Sequence, residues 1–450
     1  VSYNIMARFF KPTKRTVSDT KHKEVTVTRL DHLGAGIAHL DRKPVFIPGL
    51  LPDERALIQL TENKKQYARA KVIKRLTNSP ERITPQCPVY DQCGGCNLQH
   101  LSHSAQVDAK RQSLGELIAK FALADGPEKT TPLMQDNAVT GQEWQYRRSA
   151  RFSLRVEPGQ ALCLGFRKEQ SKDIVDIAHC PVLAASLNDL LPPLRALLNT
   201  LQGRRNLGHV ELVEADNGPV VLIRHLKPFS DPDMTQIQQF ADNQRVMLFL
   251  SPAPDEVNQL TGDAPYYEVE DLKLAFSPKD FIQVNRSVNE QMIAQAMSWL
   301  DVQPEDRVLD LFCGLGNFSL PLAKRAREVV GVEGVDAMVQ RASENAALNG
   351  LKNTAFYQGN LEDGIASFSW AHEGFDKVLL DPARAGAAGV MTQVAALSPS
   401  HILYVSCNPA TLARDSQVLL QQGYQLQRLG MLDMFPHTGH LESMALFTRA

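Results

Sequence analysis

No stretch of this 450-residue chain approaches the roughly 20 consecutive apolar residues that span a bilayer, so no membrane span is expected. Residues 1–15 mix polar and basic side chains without an apolar core, so no secretory leader is expected either. Cysteine is sparse and odd in number, with seven at positions 87, 93, 96, 163, 180, 313 and 407. That count argues against a disulfide framework and for the reducing cytoplasm, where cysteines serve as ligands, nucleophiles or buried apolar residues. Low-complexity tracts and internal repeats are absent, and neither sign of charge dominates, the net charge being −2. Hydrophobic content of 43% and charged content of 22% are those of an ordinary globular chain, and the length suggests about three domains.

The charge is nevertheless unevenly spread. Residues 1–80 carry 16 Lys and Arg against 7 Asp and Glu, a balance of +9, so the rest of the chain carries −11. A basic amino-terminal module suits a polyanion partner, and equally a solvated basic face. Within residues 17–76, short β-like runs (Val25 and Val27 alternating with threonines, Val45-Phe46-Ile47, 56–60 and 68–73) are punctuated by Gly34, Gly36, Pro48-Gly49 and Pro52. Five or so such strands predict a small barrel of the OB type, a common nucleic-acid scaffold. The run Lys64-Lys65-Gln66-Tyr67-Ala68-Arg69-Ala70-Lys71 interleaves cations with an aromatic, which suits phosphate contact and base stacking; an ordinary charged hairpin edge reads the same way.

Residues 79–279 predict an antiparallel sheet with helices. One hairpin joins 151–156 to 162–166 about Pro158-Gly159, and a second joins 210–213 to 220–223 about Asp216-Asn217-Gly218. Arg147, Arg148, Arg151, Arg155, Arg167 and Lys168 make a cationic patch near Trp144 and Tyr146, read here as RNA-backbone contacts, with surface ion pairs to the region's many acids as the alternative. From residue 281 onward strands (308–312, 328–332, 354–357, 377–381, 402–406) alternate with helices (289–300, 319–325, 337–349). This is the rhythm of a doubly wound parallel α/β sheet.

Gly314-Leu315-Gly316-Asn317 closes the first of those strands, where glycines let the backbone approach a ligand and a following helix offers free N–H groups. Glu333 ends the next strand, 19 residues after Gly314, the place where a carboxylate takes ribose hydroxyls. The third glycine of the dinucleotide fingerprint is missing, which counts against NAD. Asp310 beside the loop fits a cationic or amino-acid-bearing ligand instead, and S-adenosylmethionine (SAM) has both an amino-acid tail and a ribose. Asn360 follows the third strand and is placed to read an adenine edge, and Asp381 ends the fourth strand at the same sheet edge.

Ser406-Cys407-Asn408-Pro409 follows the apolar run Ile402-Leu403-Tyr404-Val405, so one cysteine stands where a strand hands over to a loop. Methyltransferases of exocyclic amines carry Asn/Asp-Pro-Pro-aromatic after strand four; this chain has Asp381-Pro382-Ala383-Arg384 there and Cys407 after strand five. A pyrimidine C5 is too poor a nucleophile to attack SAM directly. Thiolate addition at C6 makes C5 carbanion-like, and after methylation a base must remove the C5 proton so that the thiolate can leave. Glu442, at the end of Asp433-Met434-Phe435-Pro436-His437-Thr438-Gly439-His440-Leu441-Glu442, is the candidate base. The target base must leave its stack, and Phe281, two residues before Gln283, would either stack a flipped base or lie in the core. Cys313 is expected to pack, and His437 and His440 to assist or to be structural.

Asp381-Pro382-Ala383-Arg384-Ala385-Gly386, Ser406-Cys407-Asn408-Pro409 and residues 435–442 resemble the RNA m5U methyltransferase family, and the resemblance covers the chain beyond about residue 16. It implies SAM contacts at Gln283, Phe312, Asn317, Glu333, Asn360 and Asp381, Cys407 as nucleophile and Glu442 as base. It implies a Rossmann-like catalytic domain at 281–450 and a TRAM-type RNA-binding barrel at 16–78. Between them it implies a central α+β domain at 79–280, of which residues 104–124 or part of them pack on the catalytic domain.

Cys87-x5-Cys93-Gly94-Gly95-Cys96 with a distant Cys180-Pro181 is a thiolate set that, from spacing alone, leaves Zn²⁺ and an iron–sulfur cluster both open. The pattern is similar to that of the rRNA-modifying branch of the family. That resemblance implies a [4Fe-4S] cluster on Cys87, Cys93, Cys96 and Cys180, and 23S rRNA as partner. Other readings are another rRNA or tRNA uridine, a cytosine-C5 enzyme, or an RNA-binding cluster protein with a vestigial methyltransferase fold. The cytosine enzymes bring a second motif cysteine that Asp381-Pro382-Ala383-Arg384 lacks. The chain is expected to act as a monomer in the cytoplasm.

Overall fold

A computed structural model of the protein describes residues 21–122, 135–156, 159, 161–361 and 364–449. The expectations that fall on residues 1–20, on 123–124 and on Pro158 lie outside the described residues.

Six strands form the amino-terminal unit: Lys23–Thr26, Arg29–Leu30, Gly36–Leu40, Lys43–Ile47, Arg55–Asn63 and Ala68–Arg75. They lie in the spatial order first, fifth, sixth, fourth, third, second. The sheet curls back on itself where Thr28 N donates to Ile37 O (2.8 Å). Period-two alternation puts Ala56, Ile58, Leu60, Ala68 and Ala70 in its core and leaves Arg69, Lys71 and Arg75 exposed.

The central sheet has seven strands, from Ser149–Arg155 to Asn258–Thr261, and both hairpins read from the sequence are paired in it. One face packs under the helices Ala185–Thr200 and Asp231–Gln244 through Leu187, Leu194, Ile237 and Phe240. Its other face, with Val213, Val220, Leu222 and Phe249, shares one core with the hairpin strands Tyr266–Val269 and Leu272–Ala275 and with the helix Arg286–Leu300. That hairpin precedes residue 280, so a cut there passes through a packed core.

The carboxyl-terminal sheet comprises β1 (Arg307–Leu311), β2 (Glu328–Glu333), β3 (Thr354–Gln358), β4 (Lys377–Leu380), β5 (His401–Ser406), β6 (Tyr424–Leu432) and β7 (Glu442–Arg449). Its order is β3-β2-β1-β4-β5-β7-β6, with β1 to β5 parallel and β7 antiparallel to both neighbours. β1 and β4 are buried along their whole length, as strands covered on both faces must be, which is why they read as apolar runs. The parallel strands bring their carboxyl ends to one edge, the position where open α/β sheets bind ligands.

The helix α1 (His103–Leu117) lies against this sheet rather than the central one. Leu114 and Ile118 enter the core formed by Leu309, Leu311, Val330 and Tyr404. Among the described residues, no helix is long and apolar enough to cross a membrane.

Candidate active site

Cys407 and Glu442 are brought together by sheet register. Ser406 and Ser443 are the last partners across the antiparallel β5–β7 pair, so Cys407, one residue past β5, and Glu442, the first of β7, come to the same end of the sheet, and the Glu442 charge acts on the Cys407 thiol. Each residue around the cysteine has a local task. Ser406 Oγ bridges the Asn408 N–H (3.2 Å) and carbonyl (3.1 Å), folding a tight turn that presents Cys407. Asn408 Oδ1 accepts from Ala410 N (3.1 Å), capping the helix Pro409–Gln421, whose first-turn Pro409 has no N–H to leave unpaired. Asn408 Nδ2 donates to Arg384 O (3.1 Å), tying the nucleophile's turn to the loop after β4. Asp415 clamps that loop from below, accepting from Ala387 N and from Tyr404 Oη, both at 2.7 Å.

The site is acidic. Burial pushes the Cys407 thiol up to about 11, helped by the Glu442 and Asp381 charges and opposed by Arg384. Burial, then Asp381, holds Glu442 well above the usual carboxylate range. Asp381 is pushed up to about 7 by burial. Asp310 is also pushed to about 7 by burial, with the Ser319 hydroxyl opposing and Asp381 and Glu333 adding to the rise. Asp310 Oδ1 is buried without a hydrogen-bond partner. An edge crowded with carboxylates, one of them with an orphaned oxygen, is suited to a cation, and a sulfonium with an amino-acid tail is one.

The predicted cofactor residues line the same edge. Phe312, Gly314 and Gly316 have φ of 64°, 55° and 100°, so the loop after β1 turns through left-handed conformations that bare its backbone. Glu333 holds that loop: Oε2 accepts from Gly314 N (3.2 Å), and Oε1 from Gly334 N (2.8 Å) and Val335 N (3.1 Å). Asn317 pairs reciprocally with Asn289 (3.0 and 3.2 Å) and accepts from Tyr267 Oη (2.9 Å). Gln283 is buried, its carbonyl accepting from Arg148 Nε (2.9 Å), and Asn360 is exposed just past β3.

Several expectations need correction or addition. Arg148, grouped with the RNA-contacting cations, is 2% exposed; its guanidinium lies over the Tyr267 ring at 4.7 Å, so it braces the core and cannot touch RNA backbone. Trp144 and Tyr146, placed beside that patch, instead grip the 433–441 loop: Trp144 stacks on His437 (centroids 3.8 Å apart) and Tyr146 Oη donates to Pro436 O (3.0 Å). His437 is buried and structural, whereas His440 is exposed, with Nδ1 2.8 Å from Arg384 Nη2. Phe281 is 68% exposed, free to stack a base. The sequence reading missed His103, Gln106 and Lys110. Their spacing of three and four residues was the available sign, since it puts all three on one face of α1.

Cys87, Cys93, Cys96 and Cys180 share one electrostatic neighbourhood. Burial raises the Cys96 thiol to about 12, with Cys180, Cys93 and Cys87 adding to the rise after a Gln99 hydrogen bond opposes it. Burial also raises Cys180, and Cys87 and Cys93 add to it. Gly95 N donates to Cys93 Sγ (3.4 Å), and Gly94 N to Arg167 O (3.0 Å), which seats the loop against the central sheet. Among the described residues no three of His, Cys, Asp and Glu are grouped to hold a single metal ion.

Residues 102–450 match the family tRNA (uracil-5-)-methyltransferase, and residues 20–73 match the TRAM domain. The chain is 63% identical to the 23S rRNA (uracil(1939)-C(5))-methyltransferase RlmD of Photobacterium profundum, over 99% of this chain and 97% of that one. It is 54% identical to the protein of the same name from Vibrio cholerae, over 99% of this chain and all of that one. Among solved structures it is similar to the Pyrococcus abyssi tRNA (uracil-54, C5)-methyltransferase in complex with S-adenosyl-L-homocysteine. The TM-score is 0.73 at 22% identity, covering 95% of this chain and 100% of that one, a likeness of fold.

Proposed function

The chain belongs to the tRNA (uracil-5-)-methyltransferase family, and on that footing we propose that it methylates C5 of one uridine in 23S rRNA. The observation that carries the chemistry is the convergence of Cys407 and Glu442 at one end of the β5–β7 pair, close enough for the Glu442 charge to act on the thiol. The relatives' names and near-complete mutual coverage support 23S rRNA as substrate, and the TRAM match supports RNA contact through the barrel.

Bound at the carboxyl edge of β1, β2 and β4, SAM would supply an electrophilic methyl group, its S–CH3 bond breaking to leave a neutral thioether. The chain's own residues do the rest. Gln283, Phe312, Asn317, Glu333, Asn360 and Asp381 bind and orient the cofactor, the backbone-bonded Glu333 taking the ribose. The Cys407 Sγ–C6 bond forms as the C5–C6 double bond opens. C5 takes the methyl group, Glu442 accepts the C5 proton, and the returning electron pair expels the thiolate. Burial, then Asp381, raises the Glu442 carboxyl, which makes its carboxylate a stronger acceptor for the C5 proton. Arg384 is the cation that favours thiolate at Cys407.

Cys87, Cys93, Cys96 and Cys180 are proposed to hold a [4Fe-4S] cluster, whose task is to fix the loop 87–96 against the central sheet. The methyl transfer does not pass through it. Incubating the protein with methyl-labelled SAM and separate 23S rRNA and tRNA transcripts tests the substrate reading. Label at a single uridine C5 of the 23S transcript is expected; label confined to tRNA would overturn it.

A further inference from the structure

The loop between β6 and β7, which delivers Glu442, is held at Asp433, Phe435, Pro436, His437 and Gly439 by elements outside its own sheet. Lys110 Nζ donates to Asp433 Oδ1 (2.7 Å) and to Phe435 O (3.1 Å), and His103 Nε2 lies 2.7 Å from Asp433 Oδ2. Tyr146 takes Pro436 O, and Asn97 Oδ1 accepts from Gly439 N (2.8 Å). The centre of this grip is Gln106, fully buried on α1. Its Oε1 accepts from His437 N (2.8 Å), while the two Nε2 hydrogens go to Leu101 O (2.8 Å) and Leu98 O (3.1 Å), and Nε2 lies 3.2 Å from His437 Nδ1. His437 O in turn accepts from Asn97 N (3.1 Å) and Leu98 N (2.9 Å). His437 sits at φ 65°, a strained conformation for a non-glycine that persists only where the surroundings hold it.

We propose that Gln106 is a positioning residue for Glu442. One amide locks the strained His437 turn to Leu98 and Leu101, just beyond Cys96, and so fixes where β7 begins and where the Glu442 carboxylate stands relative to C5. The inference rests on the proposed role of Glu442 as base. Neither Gln106 nor His437 touches Cys407 or the cofactor loops, so addition and methyl transfer do not depend on this lock, whereas proton removal does.

The test uses Gln106→Leu, close in volume and unable to make any of the three bonds, with Asn97→Ala as a milder second variant that cuts only the Gly439 and Leu33 ties. Each is mixed with labelled SAM and unmodified 23S rRNA, and three quantities are read: SAM affinity, turnover, and the denaturation-resistant protein–RNA adduct. The expected result is unchanged SAM affinity, turnover down about tenfold or more, and a rise in trapped adduct as proton removal slows. Turnover equal to the parent protein, or adduct and turnover falling together, would overturn the proposal. Should Gln106→Leu fail to fold, the same signature or its absence in Asn97→Ala decides. Glu442→Gln runs alongside: if it too traps no adduct, the base assignment falls and this inference with it. If it traps adduct while Gln106→Leu turns over normally, only the inference falls.

Discussion

Cys407 is a reluctant nucleophile in the protein alone, its thiol raised to about 11 mainly by burial and then by Glu442 and Asp381. A cation placed beside Asp381 removes part of that penalty, so cofactor binding and thiolate formation support each other. Cys407→Ala should abolish turnover while leaving SAM affinity intact, since the thiol is no part of the cofactor loops; methylation surviving in this variant contradicts the covalent route. The carboxylates give a pH dependence. Asp381 and Asp310, both pushed to about 7, take up the charge that favours a cationic ligand only as pH rises toward and past neutrality. SAM affinity should therefore climb from pH 6 to pH 8, by up to about tenfold per pH unit for each group below its pKa, and Asp381→Asn should flatten the climb. Calorimetric titration at three pH values reads this directly, and a flat profile in the parent protein refutes it. The sign reverses for the ligand-free fold. These carboxyls lose their protons near 4 when unfolded and near 7 when folded, so the native state binds more protons in between and its stability falls as pH rises across that interval.

At the scale of elements, the parallel strands were legible because strands buried on both faces are written as apolar runs such as Val329-Val330-Gly331-Val332. The catalytic turns were legible because Gly, Pro and Asn act through neighbours one to three residues away, as Asn408 does in capping the helix at Pro409. What could not be read depends on partners distant in the chain. The polar face of α1 meets Asp433 and His437 more than 300 residues later. Period-two alternation says that Arg147 and Arg148 point opposite ways, but only the arrival of Tyr267 decides that Arg148 is the buried one. The barrel's junction with the catalytic loop is equally non-local. A Cβ at Gly439 would stand 2.1 Å from Leu33 O, a backbone atom that cannot yield without moving the barrel's turn. Gly439→Ala should cost about 1–3 kcal/mol of stability in denaturant titration. An unchanged unfolding midpoint would show that the barrel and the catalytic loop are not in firm contact.

At the scale of the molecule, the exposed cations are the groups through which the proposed function would meet RNA. Arg69, Lys71 and Arg75 on the barrel and Arg151 on the central sheet remain on the surface, whereas Arg148 does not. Arg151→Ala should weaken rRNA binding and reduce its salt dependence by roughly one ion, without altering SAM affinity. The thiol site belongs to the same scale, because the segment 87–97 reaches the central sheet through Gly94 and the catalytic loop through Asn97. Protein purified without oxygen is expected to be brown and to carry about four irons per chain, and stoichiometric zinc without iron would displace the cluster proposal. The central claim, covalent uracil-C5 methylation by Cys407, is tested most directly with 23S rRNA fragments in which 5-fluorouracil replaces uracil. Fluorine at C5 cannot leave as a proton, so the enzyme should stall as a methyl-labelled adduct that survives denaturation, maps to one nucleotide and vanishes in Cys407→Ala. Product release without any adduct, in protein that binds SAM normally, would contradict the account.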